Sequence, residues 1–91
     1  LSVEDFSLNS AEISPNPFTS SISIRVSNGL NDAYKLNIID INGRLVLSET
    51  KNANNGALTL SNLDQLEDAF YFIKITNETN GTSITKKVIK N

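Results

Sequence analysis

The chain has 91 residues, 8 of them basic and 10 acidic, for a formal net charge of −2. That length suits a single domain, and the balance gives no whole-domain attraction to nucleic acid. Cys and His are both absent, which removes disulfides, thiolate metal sites, a cysteine nucleophile and the commonest general base, so the composition points away from enzymes and metal or cofactor binders.

Residues 1 to 12 lack a clear alternation and carry Glu4, Asp5 and Glu12. They read as a linker or tether, with Phe6 and Leu8 as candidates for a first edge strand, ahead of a domain spanning residues 13 to 91. The chain begins at Leu1 and holds no Met, which leads us to expect a module from a longer precursor. No apolar run approaches the ~20 residues of a membrane-spanning helix.

"SPNPF" (Ser14 to Phe18) follows. Each proline fixes its own φ near −65° and holds the residue before it extended. Neither can donate to a ladder, so the stretch belongs at an edge or corner, with Phe18 as the apolar anchor. "SISIRV" then alternates strictly, Ile22, Ile24 and Val26 against Ser21, Ser23 and Arg25, the pattern of a half-buried strand. "YKLNIID" repeats it with Tyr34, Leu36 and Ile38 on one side.

"DINGR" (Asp40 to Arg44) is a hairpin signal. Asp40 can accept from the backbone two residues on, and Gly43 supplies the left-handed residue of a bulged three-residue loop, with a two-residue turn on Asn42 and Gly43 as the alternative. In the bulged form Asp40 and Arg44 face each other at the hairpin mouth, in a surface pair of small energetic value. "RLVLSE" and "ALTL" continue the strands. "LSNLDQLEDA" offers one helical turn as a crossover, and "FYFIKIT" and "TSITKKVI" close the series.

About seven short strands with polar turns predict an all-β, immunoglobulin-like antiparallel β-sandwich. Tyr34, Leu36, Ile38, Leu45, Leu47, Leu58, Leu60, Tyr71, Ile73 and Ile75 are expected to fill the space between its sheets. Asn, Ser and Thr make up about a third of the chain, a composition shared with exported bacterial β-domains. Lys86, Lys87 and Lys90 crowd the last six residues, on an expected edge strand open to augmentation, although edge lysines also guard against aggregation.

"SPNPF", "YKLNIIDINGRLV", "LTLSNLDQLEDAFYFIKIT" and "SITKKVIKN", in this order and spacing, resemble the C-terminal sorting domain (type A) of cargo for the type IX secretion system of Bacteroidetes, over residues 13 to 91. The family's motifs fall on Pro15, Asn16 and Pro17 (with Phe18 beyond), on Asp40, Gly43 and Arg44, on Leu66, Tyr71 and Phe72, and on the basic terminal strand. Where the family usually has Ser-Gly, this chain has Glu67, Asp68 and Ala69; if that glycine serves a left-handed backbone position, Asp68 can occupy it at some steric cost. The resemblance implies a domain without catalysis or cofactor that carries a fused N-terminal cargo through the periplasm and the outer-membrane translocon to the cell surface or beyond. It further implies removal by a sortase-like protease, with the cut expected in residues 1 to 12. On this reading Lys86, Lys87, Val88, Ile89 and Lys90 are the translocon-recognition residues.

Two rivals come from other classes. An accessory carbohydrate- or adhesion-type binding sandwich requires a row of exposed aromatics, and a structural spacer requires no specific surface at all. "NET" and "NGT" (Asn77 to Thr82) match the glycosylation pattern but overlap a turn where Asn and Gly are expected anyway. Asp64, Glu67, Asp68 and Glu78 lack the spacing of a calcium loop, and nothing in the sequence sets Asp40 and Glu49 around a pocket as acid and base.

Overall fold

The structure is a computed structural model that describes residues 11–15, 17–27 and 30–91. Phe6, Leu8 and the tether as far as residue 10 lie outside the described residues, as does Asn16.

Among the described residues seven strands form two antiparallel sheets: β1 (Glu12–Ser14), β2 (Ile22–Arg25), β3 (Ala33–Asp40), β4 (Leu45–Asn52), β5 (Ala57–Leu60), β6 (Phe70–Asn77) and β7 (Ser83–Ile89). The spatial orders are β1-β2-β5 and β4-β3-β6-β7. β4 remains hairpinned to β3, whereas constant-type immunoglobulin domains put their fourth strand on the other sheet. The segment between β5 and β6 makes a single 3-10 turn at Leu63–Gln65, the one helical turn that "LSNLDQLEDA" predicts.

Period-2 sequence becomes two-faced structure. Ile22, Ile24, Leu58 and Leu60 turn inward from one sheet, and Tyr34, Leu36, Ile38, Tyr71, Ile73, Ile75 and Val88 turn inward from the other, all buried. A fully buried Ile or Leu side chain contributes about 1.5–3 kcal/mol, and in a chain without disulfides this core is the main source of stability. Leu63 closes one end of the core, its amide donating to the Ser20 carbonyl at 2.9 Å.

One expected core residue is not in the core. Leu45 is 55% exposed, and Leu47 is half-buried. The pairing of β3 with β4 slips between Ile38 and Ile39, so that Leu47 opposes Ile38 while Leu45 opposes Ile39. This bulge inserts one extra residue and reverses the phase of the alternation. Leu45 thereby joins Ile39 on the outer face, and sequence alternation alone could not foresee it.

The proline corner spans the two sheets. β1 pairs with β2 from Glu12 opposite Arg25 to Ser14 opposite Ser23, and the Ser14–Pro15 peptide is cis. Pro15 and Pro17 are exposed, Phe18 is fully buried, and Phe18 forms a parallel bridge with Lys90 beyond the end of β7. The rigid corner therefore does more than aim β2, because it brings the chain across to hold the end of the opposite sheet.

Candidate recognition surface

The β3–β4 hairpin is the bulged form. The Gly43 amide donates to the Asp40 carbonyl at 3.0 Å, the Asp40 amide donates to the Arg44 carbonyl at 2.9 Å, and Gly43 has φ +85°. One carboxylate oxygen of Asp40 accepts from the backbone amides of Asn42 and Arg44, each at 2.9 Å, and the other accepts from Arg44 Nε at 3.0 Å. The Arg44 amide, with the Asn42 amide and the guanidinium adding to it against a desolvation cost, holds the Asp40 carboxyl below its ordinary value. Asp40 is thus mainly a turn organiser, and the guanidinium is largely in solvent.

Tyr71 stands opposite Asp40 on β6 and is buried, with its hydroxyl donating to the Glu67 carbonyl at 2.8 Å. Burial, helped by the carboxylates of Glu67 and Asp40, raises its phenol above the ordinary value. The motif residues Asp40, Arg44, Leu66 and Tyr71 line one depression of about 360 Å³, together with exposed Ile41 and Phe70. Gly43 lies at the loop tip and Phe72 is half-buried on β6.

The stretch Glu67 to Ala69 departs from the expected turn geometry. Among described non-glycine residues only Asn55 and Asn62 have positive φ, so Asp68 is not left-handed. Instead the stretch serves the end of the chain: the Ala69 carbonyl accepts from the Lys90 amide at 2.9 Å, and Asp68 pairs with Lys90 Nζ at 3.4 Å.

The five terminal residues expected to meet the translocon have different fates. β7 is the edge of its sheet. Lys87 is exposed on the outer face, its Nζ 4.4 Å from the centre of the Phe70 ring, a cation–π arrangement. Lys86 is half-exposed at the rim on the core-facing side, opposite Ile73. Val88 is fully inside, and Ile89 is half-buried. Lys90 is only 5% exposed, held by Asp68 and by the Asn91 carbonyl at 3.3 Å. The outward lysine row therefore reduces to Lys87 and, in part, Lys86; Val88 and Lys90 are corrected to interior positions, because Phe18 and Ala69 clasp the strand where it ends.

Asn77, in sequence a turn residue and part of a glycosylation-pattern match, is a structural residue. It is 3% exposed, its Nδ2 donates to Asp32 Oδ2 at 3.1 Å, and its Oδ1 accepts from the amides of Thr79 at 2.7 Å and Asn80 at 3.2 Å. It also hydrogen-bonds Tyr34, whose phenol burial raises above the ordinary value. Such burial removes Asn77 as a surface modification site. The available signal was its place as the last residue of an alternating strand, on the inward phase of Tyr71, Ile73 and Ile75.

Asp40 is engaged by its own turn, and Glu49 sits on β4 beside Lys51 at 3.6 Å. Among the described residues no group of acidic side chains is arranged to hold a metal ion.

The model of the secretion system C-terminal sorting domain family matches residues 12–91. Comparison with curated proteins gives no match. Among solved structures, the chain is similar to dimeric latent PorU from Porphyromonas gingivalis, with a TM-score of 0.63 and 22% identity over 88% of this chain and 9% of that one. That likeness is one of fold, and the chain spans only that small fraction of the longer protein. Matched over nearly its whole length, with the strands and hairpin described above inside the match, the chain belongs to the family of type IX secretion C-terminal sorting domains.

Proposed function

We infer that this domain, a C-terminal sorting signal for type IX secretion, is read in its folded state through the open edge of β7. The fused cargo can be of any kind, since the signal itself has no catalytic part. In this reading the outer-membrane translocon receives the sandwich from the periplasm, and a sortase-like protease cuts ahead of it within residues 1 to 12, leaving residues 13 to 91 as the signal. Lys86 and Lys87 flank the edge.

The observation that carries the reading is the direction of the β7 backbone. Phe18 donates to the Ile89 carbonyl and accepts from the Asn91 amide, at 2.8 and 2.9 Å. In an antiparallel strand, backbone groups alternate sides, so the N–H and C=O of Thr85 and Lys87 point the same way as those of Ile89. Among the described residues no strand pairs with Thr85 and Lys87 on that side. This is an edge a partner strand can extend. Phe18 closes it at one end, which fixes where an added strand must stop.

A proline at an outward-facing edge position removes one donor without touching the ladder to β6. In a reporter fusion, Thr85→Pro is expected to keep the domain folded and to lower export, with folded precursor held in the periplasm. Undiminished export of a folded Thr85→Pro fusion would show that the edge is not read.

The carbohydrate-binding rival has little to stand on: among the described aromatic residues Phe18, Tyr34 and Tyr71 are buried and Phe72 is half-buried, so Phe70 alone is exposed where a row is required.

A further inference from the structure

The outer face of the four-stranded sheet has an unusual charge distribution for a chain of net charge −2. The register sets Lys35 opposite Thr76, Lys74 opposite Asn37 and Thr85, and Lys87 opposite Phe72. Each lysine is thus the diagonal neighbour of the next on the adjoining strand, about 7–8 Å away across an antiparallel pair. All three are exposed, and none makes an ion pair among the described residues. No Asp or Glu stands on this face of the four strands: Glu49 pairs with Leu36 and Asp40 with Tyr71, on the opposite phase.

The face is also divided along its length. At the hairpin end Leu45, Ile39 and Phe72 form one row across three strands, extended by Phe70 on β6. Leu45 and Phe70 are 55% and 45% exposed. The bulge after Ile38 is what puts Leu45 there. Apart from the contact of Lys87 with the Phe70 ring, a stripe of like charges beside exposed apolar side chains adds little to folding, since diagonal cations repel and exposed leucine gains no burial. A second copy of the same face is excluded as occupant by that repulsion.

We propose that this face docks a protein of the export machinery whose surface presents carboxylates beside an apolar patch, the carboxylates meeting Lys35, Lys74 and Lys87 and the patch meeting Leu45 and Phe70. The proposal rests on the sorting reading and deepens it, since an added strand at β7 and a surface laid over Lys87 are contiguous. A protein fits better than a lipid headgroup layer because the apolar side chains lie in a row across a sheet surface, with Lys87 folded back onto Phe70 instead of reaching out beside it.

The test places the chain behind a folded reporter in a type IX-secreting host. Lys35→Glu with Lys74→Glu and Lys87→Glu is expected to lower export about tenfold or more, as reversal of a steering field does, with a cooperative melt retained. Replacement of all three by Arg should export as the parent chain does. Arg25→Gln with Thr59→Glu on the outer face of the other sheet should also leave export unchanged. If the Glu variant does not fold, the triple Gln variant takes its place with the same expectation. Failure of the parent fusion to be exported overturns the sorting reading, and this inference with it. Normal parent export together with normal export of the folded Glu or Gln variant overturns the face assignment alone. Sedimentation of the purified chain with phosphatidylglycerol vesicles, abolished in the Glu variant, assigns the face to lipid and overturns the protein partner.

Discussion

Phe18 and Lys90 lie side by side in a parallel bridge, the first fully buried and the second 5% exposed, so the beginning and the end of the sandwich are joined by hydrogen bonds as well as by packing. Phe18→Ala is expected to cost about 3–5 kcal/mol, as for a large buried aromatic. Against a domain stability of about 5–15 kcal/mol this leaves a marginal fold. Chemical denaturation measures it, and a loss below about 1 kcal/mol would contradict the anchoring role.

The same bridge changes what a terminal deletion means. Removing residues 86 to 91 takes away buried Val88, the Lys90–Asp68 pair and both bonds to Phe18. The expected result is loss of the cooperative transition in circular dichroism, so blocked export after such a deletion reports on folding as much as on recognition. The proline and charge variants above avoid this confusion.

Asn77→Ala leaves the Asp32 carboxylate and the Thr79 and Asn80 amides without their partner at a nearly buried position. Unsatisfied buried groups cost about 1–3 kcal/mol, and a loss in that range is expected by thermal or urea denaturation. Asn77→Asp should be worse than Ala, because it sets a second carboxylate against Asp32. The reverse order would show that Asp32 does not depend on the amide.

Asp40 has its folded-state carboxyl below the ordinary value of 3.8, chiefly through the Arg44 amide. A lowered value means the anion is favoured in the fold, so its stabilisation is complete above the unfolded value and is lost as pH falls from there through the folded one. An NMR titration should place the Asp40 midpoint below 3.8. In Asp40→Asn the melting temperature should drop at neutral pH, with the gap to the parent chain closing as the pH is lowered through that window. A gap independent of pH would overturn this account.

Gly43 and Gly56 both have positive φ but different surroundings. A Cβ at Gly43 meets nothing within 4 Å, whereas one at Gly56 comes 2.7 Å from the Val26 carbonyl oxygen. Gly43→Ala should cost only the left-handed penalty of about 1–2 kcal/mol. Gly56→Ala should cost clearly more, since the Gly56 carbonyl also accepts from the Val26 amide that the chain would have to move. Equal costs, measured by urea denaturation, would mean that the segment yields without resistance.

The sequence alone shows the all-β class, the two-faced strands, an Asp40–Arg44 hairpin closed by either a bulged loop or a two-residue turn, and the family motifs, because each depends on residues close together in the chain: alternation on period 2, a carboxylate two residues before an amide, a glycine where φ is positive. It also placed the prolines at a corner. Residues whose partners are distant in the chain are placed only by the folded arrangement. The bulge that turns Leu45 outward arises from pairing between two strands. Lys90 is inside because Phe18 and Asp68 reach it from 72 and 22 positions earlier, and Asn77 is buried because Asp32 meets it there. The lysine diagonal exists only in the register of three strands. Local chemistry sets which face a side chain prefers, but which groups wait on that face is fixed by long-range pairing, and the candidate recognition surface consists almost wholly of such pairings.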